Sequence, residues 1–265
     1  MNYFLGAVSR EGSPWYFPVA LAVKTPLGLL LGVGVALSAR AGRRTAAAAG
    51  ASLLLFLLFS SRTTYNIGVR HALLVFPLLA IVAGAAASGL TDLAARRSAR
   101  LRLGATLGAL LAASLEAATA HPHPFSFFNA LAGGPDGGRR FFADSSLDWG
   151  QDLLRLKALA PSLAPDGLPT VAFGGDLPSR HAPAIRPPAP GEEDRPGAVF
   201  AIGEAPFALG PELLRAKGAT GDAERLESIR TALRERGRRI GTVGGSIGLW
   251  RIESPPARRE PARAS

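Results

Sequence analysis

Four long apolar runs fill most of the first 120 residues and constrain the fold more than any other feature of the sequence. Short loops rich in arginine separate the runs, and each run is close to the roughly 20 residues that cross the hydrocarbon core of a bilayer. A soluble helical core is the alternative, but four such runs in succession favour a membrane bundle. The sequence therefore predicts transmembrane spans at about residues 17–39, 45–60, 71–90 and 101–120.

The rest of the chain is polar and rich in proline and glycine. It holds short apolar runs bounded by Gly and Pro, which are typical of strands, and charged stretches that favour helices. We expect strands at 170–173 and 198–202, a helix at 222–236 and a strand pair at 239–252. The predicted fold class is a mainly α membrane protein, with about four transmembrane helices in residues 1–120. A small α/β extracytoplasmic domain at 121–253 and a disordered basic tail at 254–265 are expected to follow.

The distribution of arginine predicts the orientation. Loops 40–44 and 91–102 hold most of the arginines of the apolar half, and such loops stay in the cytoplasm. The N-terminus, loop 61–70 and all residues after 120 are then expected outside.

Several kinds of site are not expected. The chain contains no cysteine, which excludes disulfides, thiolate metal sites and cysteine nucleophiles. His121 and His123 lack a third ligand nearby, so we expect no metal. Although the net charge is +10, its arginines are dispersed and form no recognition pattern, so no nucleic-acid partner is expected.

Ionisable residues gather near the outer ends of the expected spans. They are costly in a membrane and by default suggest function, although snorkelling to the interface is the simpler explanation for a single lysine. Arginines beside a bilayer suit an anionic head group, because their forked donors match phosphate, and nonspecific contact with lipid phosphate is the alternative. The residues concerned are Lys24, Arg62, Arg70, His71, Glu116, His121 and His123.

The stretch 144–152, DSSLDWGQD, places three carboxylates four residues apart. On a helix this spacing would stack Asp144, Asp148 and Asp152 on one face, where like charges repel. We therefore expect a site to use these acids, and we expect an amphipathic helix at about 147–159.

Five segments together resemble a known family. The chain is similar to the C-terminal half of bacterial polytopic glycosyltransferases of the GT-C fold, of the dolichyl-phosphate-mannose-type and ArnT-like group. The stretches DSSLDWGQDL and NIGVRH are the most specific of the segments that carry the resemblance. Those segments are SPWYFPVALAVKTPL (13–27), NIGVRHALLVFPLLA (66–80), HPHPFSFFNALAGGP (121–135), DSSLDWGQDL (144–153) and VGGSIGLWRI (243–252).

The resemblance implies a function at the outer face of the bacterial cytoplasmic membrane. Such enzymes transfer a sugar from a polyprenyl-phosphate carrier to an acceptor, using an acidic general base and basic residues that hold the carrier phosphate. It assigns Lys24, Arg62, Arg70 and His71 to the carrier phosphate. The lipid-linked sugar is the donor substrate, no further cofactor is expected, and membrane lipid and the carrier are the expected partners.

The resemblance also places the catalytic acid in an early loop with no counterpart here, so a separately encoded N-terminal half is a further expected partner. The catalytic residue is therefore unassigned, with Asp144 and Asp148 as minor candidates. A non-catalytic accessory or degenerate protein that binds lipid-linked sugar is the alternative, and a transporter is less favoured because no repeat is visible. An outer polar site, or a seam between bundle and outer domain, is expected to contain Asn66, Glu116, His121, His123, Asn129, Asp144, Asp148, Trp149, Gln151 and Asp152.

Overall fold

The structure is a computed structural model, and it describes residues 1–38, 43–85, 97–173 and 183–254. The chain divides into two compact units, Met1–Trp149 and Gly150–Ser265. Residues 121–149 therefore belong with the first unit, whereas the sequence suggested a division near residue 120.

The first unit is largely helical. Its elements are the hairpin strands β1 (Asn2–Phe4) and β2 (Ala7–Ser9), and the helices α1 (Tyr16–Lys24), α2 (Leu27–Ser38), α3 (Arg43–Ser60), α4 (Val75–Gly84), α5 (Arg97–Thr119) and α6 (Gly134–Gly138). Helix α2 packs against α4 and α5, and α3 packs against α4. In the described part of this unit, single-turn 3-10 helices lie at Val69–Ala72, Pro124–Ser126 and Ala130–Ala132.

The expected first span is broken into two helices. Helices α1 and α2 meet at an angle of 104°. Thr25 between them is extended, with φ −89° and ψ 132°, because the ring of the following Pro26 disfavours helical backbone at the residue before it. The average hydropathy of residues 17–39 does not reveal such a break, because the residues on both sides of it are apolar.

The prediction of about four transmembrane helices is wrong. Among the described residues, one helix, Arg100–Thr119, is long and apolar enough to cross a membrane, and the bent pair of α1 and α2 could supply a second span. Helix α4 has ten residues, because the chain before it forms a 3-10 turn instead of extending the helix. Residues 86–90 of the expected third span lie outside the described residues. The membrane orientation predicted from the loops between four spans is consequently no longer supported.

An aromatic core holds the first unit together. The ring of Tyr16 is fully buried and meets the ring of Phe142 edge to face, with centroids 4.8 Å apart. Phe17, Phe128 and Leu147 are buried in the same cluster. Residues on both sides of α5 thus contribute to one core, which explains why 121–149 fold with the preceding helices.

The second unit is a mixed α/β fold. Its elements are α7 (Leu153–Leu163), β3 (Leu168–Val171), β4 (Ile185–Arg186), β5 (Val199–Gly203), α8 (Glu204–Ala216), α9 (Thr220–Arg236), β6 (Gly237–Val243) and β7 (Ile247–Ile252). Among the described residues the five-stranded sheet has the order β4-β3-β5-β7-β6. Strand β3 runs parallel to both of its neighbours, and β7 runs antiparallel to β5 and β6. One core cluster includes residues of α7 and the other includes residues of α9.

The expected strands and the expected charged helix of the second unit are confirmed, and their observed ends differ from the expected ones by two residues at most. The expected helix at 147–159 is wrong at its start, because α7 begins at Leu153. Residues 255–265 of the expected tail lie outside the described residues.

Candidate functional site

The stretch 144–152 forms turns instead of a helix. The amides of Leu147 and Asp148 both donate to the carbonyl oxygen of Asp144, at 2.8 and 2.9 Å, and close one turn. The three carboxylates therefore do not stack on one helical face.

Asp144 instead pairs with a tyrosine from the other end of the first unit. Its Oδ2 accepts a hydrogen bond from the Tyr16 hydroxyl at 2.7 Å, and its Oδ1 accepts one from the Ser146 amide at 2.8 Å. The Tyr16 hydroxyl oxygen in turn accepts a hydrogen bond from the Gly68 amide at 2.6 Å. A chain of buried hydrogen bonds thus joins Asp144 to the backbone of the loop before α4.

The two serines that follow Asp144 contact the same loop. Ser145 Oγ donates to the Ile67 carbonyl oxygen at 2.7 Å, and Ser146 Oγ accepts from the Val69 amide at 3.0 Å. We call Tyr16, Asp144, Ser145 and Ser146 the clamp. Tyr16, Ser145 and Ser146 bond directly to residues 67–69, and Asp144 holds the Tyr16 hydroxyl in place. The clamp joins the two most specific segments of the family resemblance.

Next to the clamped loop lies an exposed cluster, Arg70, His71 and Trp149, which we call the basic patch. The guanidinium carbon of Arg70 is 4.5 Å from the centroid of the Trp149 ring, in cation-π contact. Arg70 Nε donates to His71 Nε2 at 3.3 Å. Both basic side chains are exposed, and Trp149 is 40% exposed.

The basic patch has the electrostatics of an anion site. Partial burial, and then the charge of Arg70, lower the pKa of His71 below its usual value. His71 is therefore neutral at pH 7, and because its Nε2 accepts from Arg70, its Nδ1 carries the proton. An anion beside these groups would meet a guanidinium and an imidazole N–H donor.

Asp144 is placed to support structure. The side chain is buried, with 6% of the residue exposed, and both of its oxygens accept hydrogen bonds within the protein. Burial raises the pKa of Asp144, although the hydrogen bonds from Tyr16 and Ser146 act against the rise. A general base must reach the proton that it removes, and this carboxylate does not face solvent.

Lys24 is likewise used inside the protein. Its ammonium group donates to the carbonyl oxygens of Phe125, at 3.0 Å, and of Ser146, and it lies 3.9 Å from the centroid of the Phe128 ring. The residue is 7% exposed. We therefore leave Lys24 out of the phosphate site to which the resemblance assigned it.

Asn129 and Glu116 stabilise the break between α1 and α2. Asn129 Nδ2 donates to the carbonyl oxygens of Ala22 and Thr25, at 2.7 and 2.8 Å, near the end of α1. Glu116 Oε2 accepts from the Leu27 amide at 2.5 Å, at the start of α2. These contacts satisfy backbone groups that a broken helix leaves without partners.

Asn66 is buried, whereas Arg62 is exposed. Asn66 is fully buried, and its Oδ1 accepts from the Ser13 amide at 2.5 Å, so it fixes the loop to the N-terminal segment. Arg62 is exposed after α3, and among the described residues no hydrogen bond or ion pair links it to Arg70 or His71.

The other polar residues of the stretch 144–152 are partly or fully buried. Asp148 and Asp152 are fully buried. Within the second unit, Asp152 accepts hydrogen bonds from Ser246 Oγ at 2.7 Å and from Arg155 at 2.6 Å. Gln151 lies half-buried in the turn before α7.

The histidines after α5 form no recognisable metal centre. His121 and His123 lie in the turn that follows the helix, and the His121–Pro122 peptide bond is cis. Over the described part of the chain, no group of three or more His, Asp or Glu side chains is arranged to hold a metal ion.

Sequence reasoning missed Tyr16, Ser145 and Ser146 as members of the clamp. Tyr16 lies within the segment 13–27 that carries part of the resemblance, but 128 positions separate it from Asp144. No local pattern could have paired them.

The second unit has a cleft of its own, of about 430 Å³. Half of its lining residues are acidic, among them Glu193, Glu224, Glu227 and Glu235, and Arg215 and Arg236 also line it. None of the expected site residues lines it.

Comparisons of the chain with family models, with curated proteins and with solved structures found no match. The family resemblance consequently stays a prediction from the sequence motifs.

Proposed function

We propose that this chain is part of a membrane glycosyltransferase and binds the phosphate of a polyprenyl-phosphate-linked sugar at the basic patch. The observation that carries the proposal is the exposed cluster of Arg70, His71 and Trp149. Hydrogen bonds from the loop backbone to the clamp hold the loop that carries Arg70 and His71. The proposal keeps Arg70 and His71 from the sequence prediction and adds Trp149 to them.

The chemistry of the patch suits a phosphate ester. Arg70 offers forked donors that match two phosphate oxygens, and the proton on His71 Nδ1 offers a further bond. The face of Trp149 keeps the guanidinium of Arg70 in place at 4.5 Å while leaving part of it exposed. In a glycosyl transfer, the charge of Arg70 and the N–H donor of His71 would stabilise the carrier phosphate as it leaves.

Exposed leucines on α5 support a lipid environment. Leu107, Leu110, Leu111 and Leu115 are each 55–61% exposed, and 11% of the most apolar part of this helix is buried. These leucines are spaced i, i+3, i+4 and i+8, so they form one exposed apolar face of the kind that lipid covers. We propose that α5 spans the membrane, with its arginine-rich start in the cytoplasm and the clamped loop outside.

The general base of the reaction is not assigned to the acids of 144–152. Asp144, Asp148 and Asp152 are all buried. This burial favours the second candidate function, a subunit that binds the lipid-linked sugar without transferring it. A transfer assay with a polyprenyl-phosphate-linked sugar separates the two candidates when the expected N-terminal half is supplied. A transferase half then completes the enzyme, whereas an accessory subunit yields no product.

Both candidate functions require binding of the carrier phosphate. Binding of a short-chain polyprenyl phosphate to the purified chain in mild detergent tests this requirement. We expect saturable binding that the matching polyprenol does not show. Arg70→Gln should weaken it about tenfold or more, the effect of losing a charge-assisted hydrogen bond. Arg238→Gln, an exposed change in the second unit, is the matched control and should have no effect.

An NMR titration of the histidines gives a second readout. A bound phosphate should raise the pKa of His71, because a neighbouring negative charge favours the imidazolium. Equal affinity for phosphate and polyprenol, or an unchanged His71 titration at saturation, would contradict the proposal.

A further inference from the structure

We infer that Tyr16, Asp144 and Ser146 are positioning residues for the anion site, and that they act by fixing the backbone that presents Arg70 and His71. The inference rests on the proposed function of the basic patch. It gives the conspicuous stretch after residue 143 a role different from the general base that its acids first suggested.

The first step is the conformation of the loop. Gly68 has φ 101° and ψ 151°, a backbone conformation that side chains disfavour. A Cβ at this position would also overlap the Ser145 hydroxyl. The 3-10 turn Val69–Ala72 starts directly after Gly68, so the direction in which Arg70 leaves the backbone depends on this residue.

The second step is the set of hydrogen bonds that holds this conformation. The Gly68 amide donates to the Tyr16 hydroxyl at 2.6 Å, and the Val69 amide donates to Ser146 Oγ at 3.0 Å. Both amides lie at the start of the turn, where no preceding carbonyl oxygen within the turn can accept their hydrogen bonds. The clamp therefore supplies the acceptors that the start of the turn needs.

The third step is the support of the clamp itself. Asp144 accepts from the Tyr16 hydroxyl, so that the tyrosine oxygen is oriented to accept from Gly68. Lys24 fixes the Ser146 backbone by donating to its carbonyl oxygen. Trp149, five residues after Asp144 in the chain, is the aromatic side chain that Arg70 covers. One short stretch thus sets both the loop and the ring against which Arg70 rests.

The physical consequence is preorganisation. A phosphate that binds Arg70 and His71 together needs both side chains to point toward it. If the loop already holds them in that arrangement, less conformational entropy is lost on binding. None of the three positioning residues has to touch the ligand.

The test uses Tyr16→Phe in the full chain, because this change removes the hydroxyl and keeps the buried ring. The probe is the short-chain polyprenyl phosphate described above. We expect affinity to fall about threefold to tenfold, as for the loss of one or two hydrogen bonds that order a site. We also expect the rise in the His71 pKa at saturation to become smaller.

Phe56→Leu is the matched control. Phe56 packs against the same aromatic core, and its ring meets the ring of Phe17 at 6.0 Å and not a clamp residue, so the change should lower the unfolding temperature while leaving affinity unchanged. A Tyr16→Phe protein that binds as tightly as the wild type, while Arg70→Gln does not bind, would overturn the inference and leave the proposed function standing. A wild-type chain that binds polyprenol and polyprenyl phosphate equally well would overturn the proposed function itself.

Discussion

The hydroxyl of Tyr16 and Oδ2 of Asp144 lie 2.7 Å apart and are both buried, although 128 residues separate them in the chain. The contact joins the start of α1 to the DSSLDW stretch. Because the same hydroxyl accepts from Gly68, it also ties both segments to the loop that carries Arg70. Three separate stretches of sequence consequently meet at one oxygen atom.

The first prediction concerns pH and Asp144. Its pKa is raised in the native state, so between the unfolded value of about 4 and the native value the folded protein holds more protons than the unfolded chain. Stability should therefore fall as pH rises through this window. Asp144→Asn cannot ionise, so hydrogen-exchange protection of the Gly68 and Val69 amides should lose this dependence relative to wild type.

Asp144→Ala is the comparison for that experiment. It leaves the Tyr16 hydroxyl and the Ser146 amide without their acceptor and should cost about 2 kcal/mol or more. Parallel pH profiles for the wild type and Asp144→Asn would show that Asp144 does not titrate in the folded protein as expected.

The second prediction concerns Lys24. Lys24→Met keeps the length of the side chain but removes the donor to the carbonyl oxygens of Phe125 and Ser146. We expect the first unit to lose about 2 kcal/mol of stability, the penalty for burying polar groups without partners. Lys157→Met, at an exposed position of α7, should have little effect on thermal unfolding.

The same variant tests whether the lysine touches the phosphate. Charges that contact an anionic ligand make its affinity depend on salt, so Arg70→Gln should weaken the salt dependence. Lys24→Met should leave the salt dependence as in wild type. A reduced dependence in Lys24→Met would return this residue to the phosphate site.

The third prediction concerns Glu192 in the second unit. Its two oxygens pair with the guanidinium of Arg186, and the Ala189 amide donates to Oε2 at 2.6 Å. The bonds from Arg186 hold the pKa of Glu192 below its usual value despite partial burial. This contribution to stability is present above the unfolded pKa of about 4.3 and is lost as pH falls through the native value.

Glu192→Gln should therefore destabilise the segment around β4 by about 1 kcal/mol at pH 7, and the difference should shrink at acid pH. Hydrogen exchange at the Ala189 amide measures it. Glu224→Gln, an exposed change on α9, is the control. A difference that stays constant down to pH 3 would rule out ionisation of Glu192 as its cause.

The fourth prediction concerns orientation in the membrane. The natural chain has no cysteine, so single cysteines can be labelled without a background. With α5 as the span, a membrane-impermeant maleimide should label Ser61→Cys from outside and Ser98→Cys from the cytoplasmic side. Labelling in the reverse pattern would contradict the proposed orientation, and labelling of both from one side would contradict the span.

Local patterns predicted much of the second unit. Strands β3, β5, β6 and β7 and helix α9 follow from short apolar runs bounded by glycine and proline and from a charged helical stretch, which are properties of neighbouring residues. The same reasoning failed in the first unit. Hydropathy averaged across Pro26 and across the turn before α4, so that two bent or shortened helices were interpreted as full spans.

The sequence by itself determined the apolar character of the first helices, the strands β3, β5, β6 and β7 with helix α9 of the second unit, and Arg70 and His71 as candidates for binding an anion. The tertiary structure decided which polar groups are free to do so. Lys24 binds backbone carbonyl groups, Asp144 binds Tyr16, and Arg70 rests on Trp149. Residue spacing indicates local structure, whereas buried polar groups take partners from whatever distant segment the fold brings within hydrogen-bonding distance.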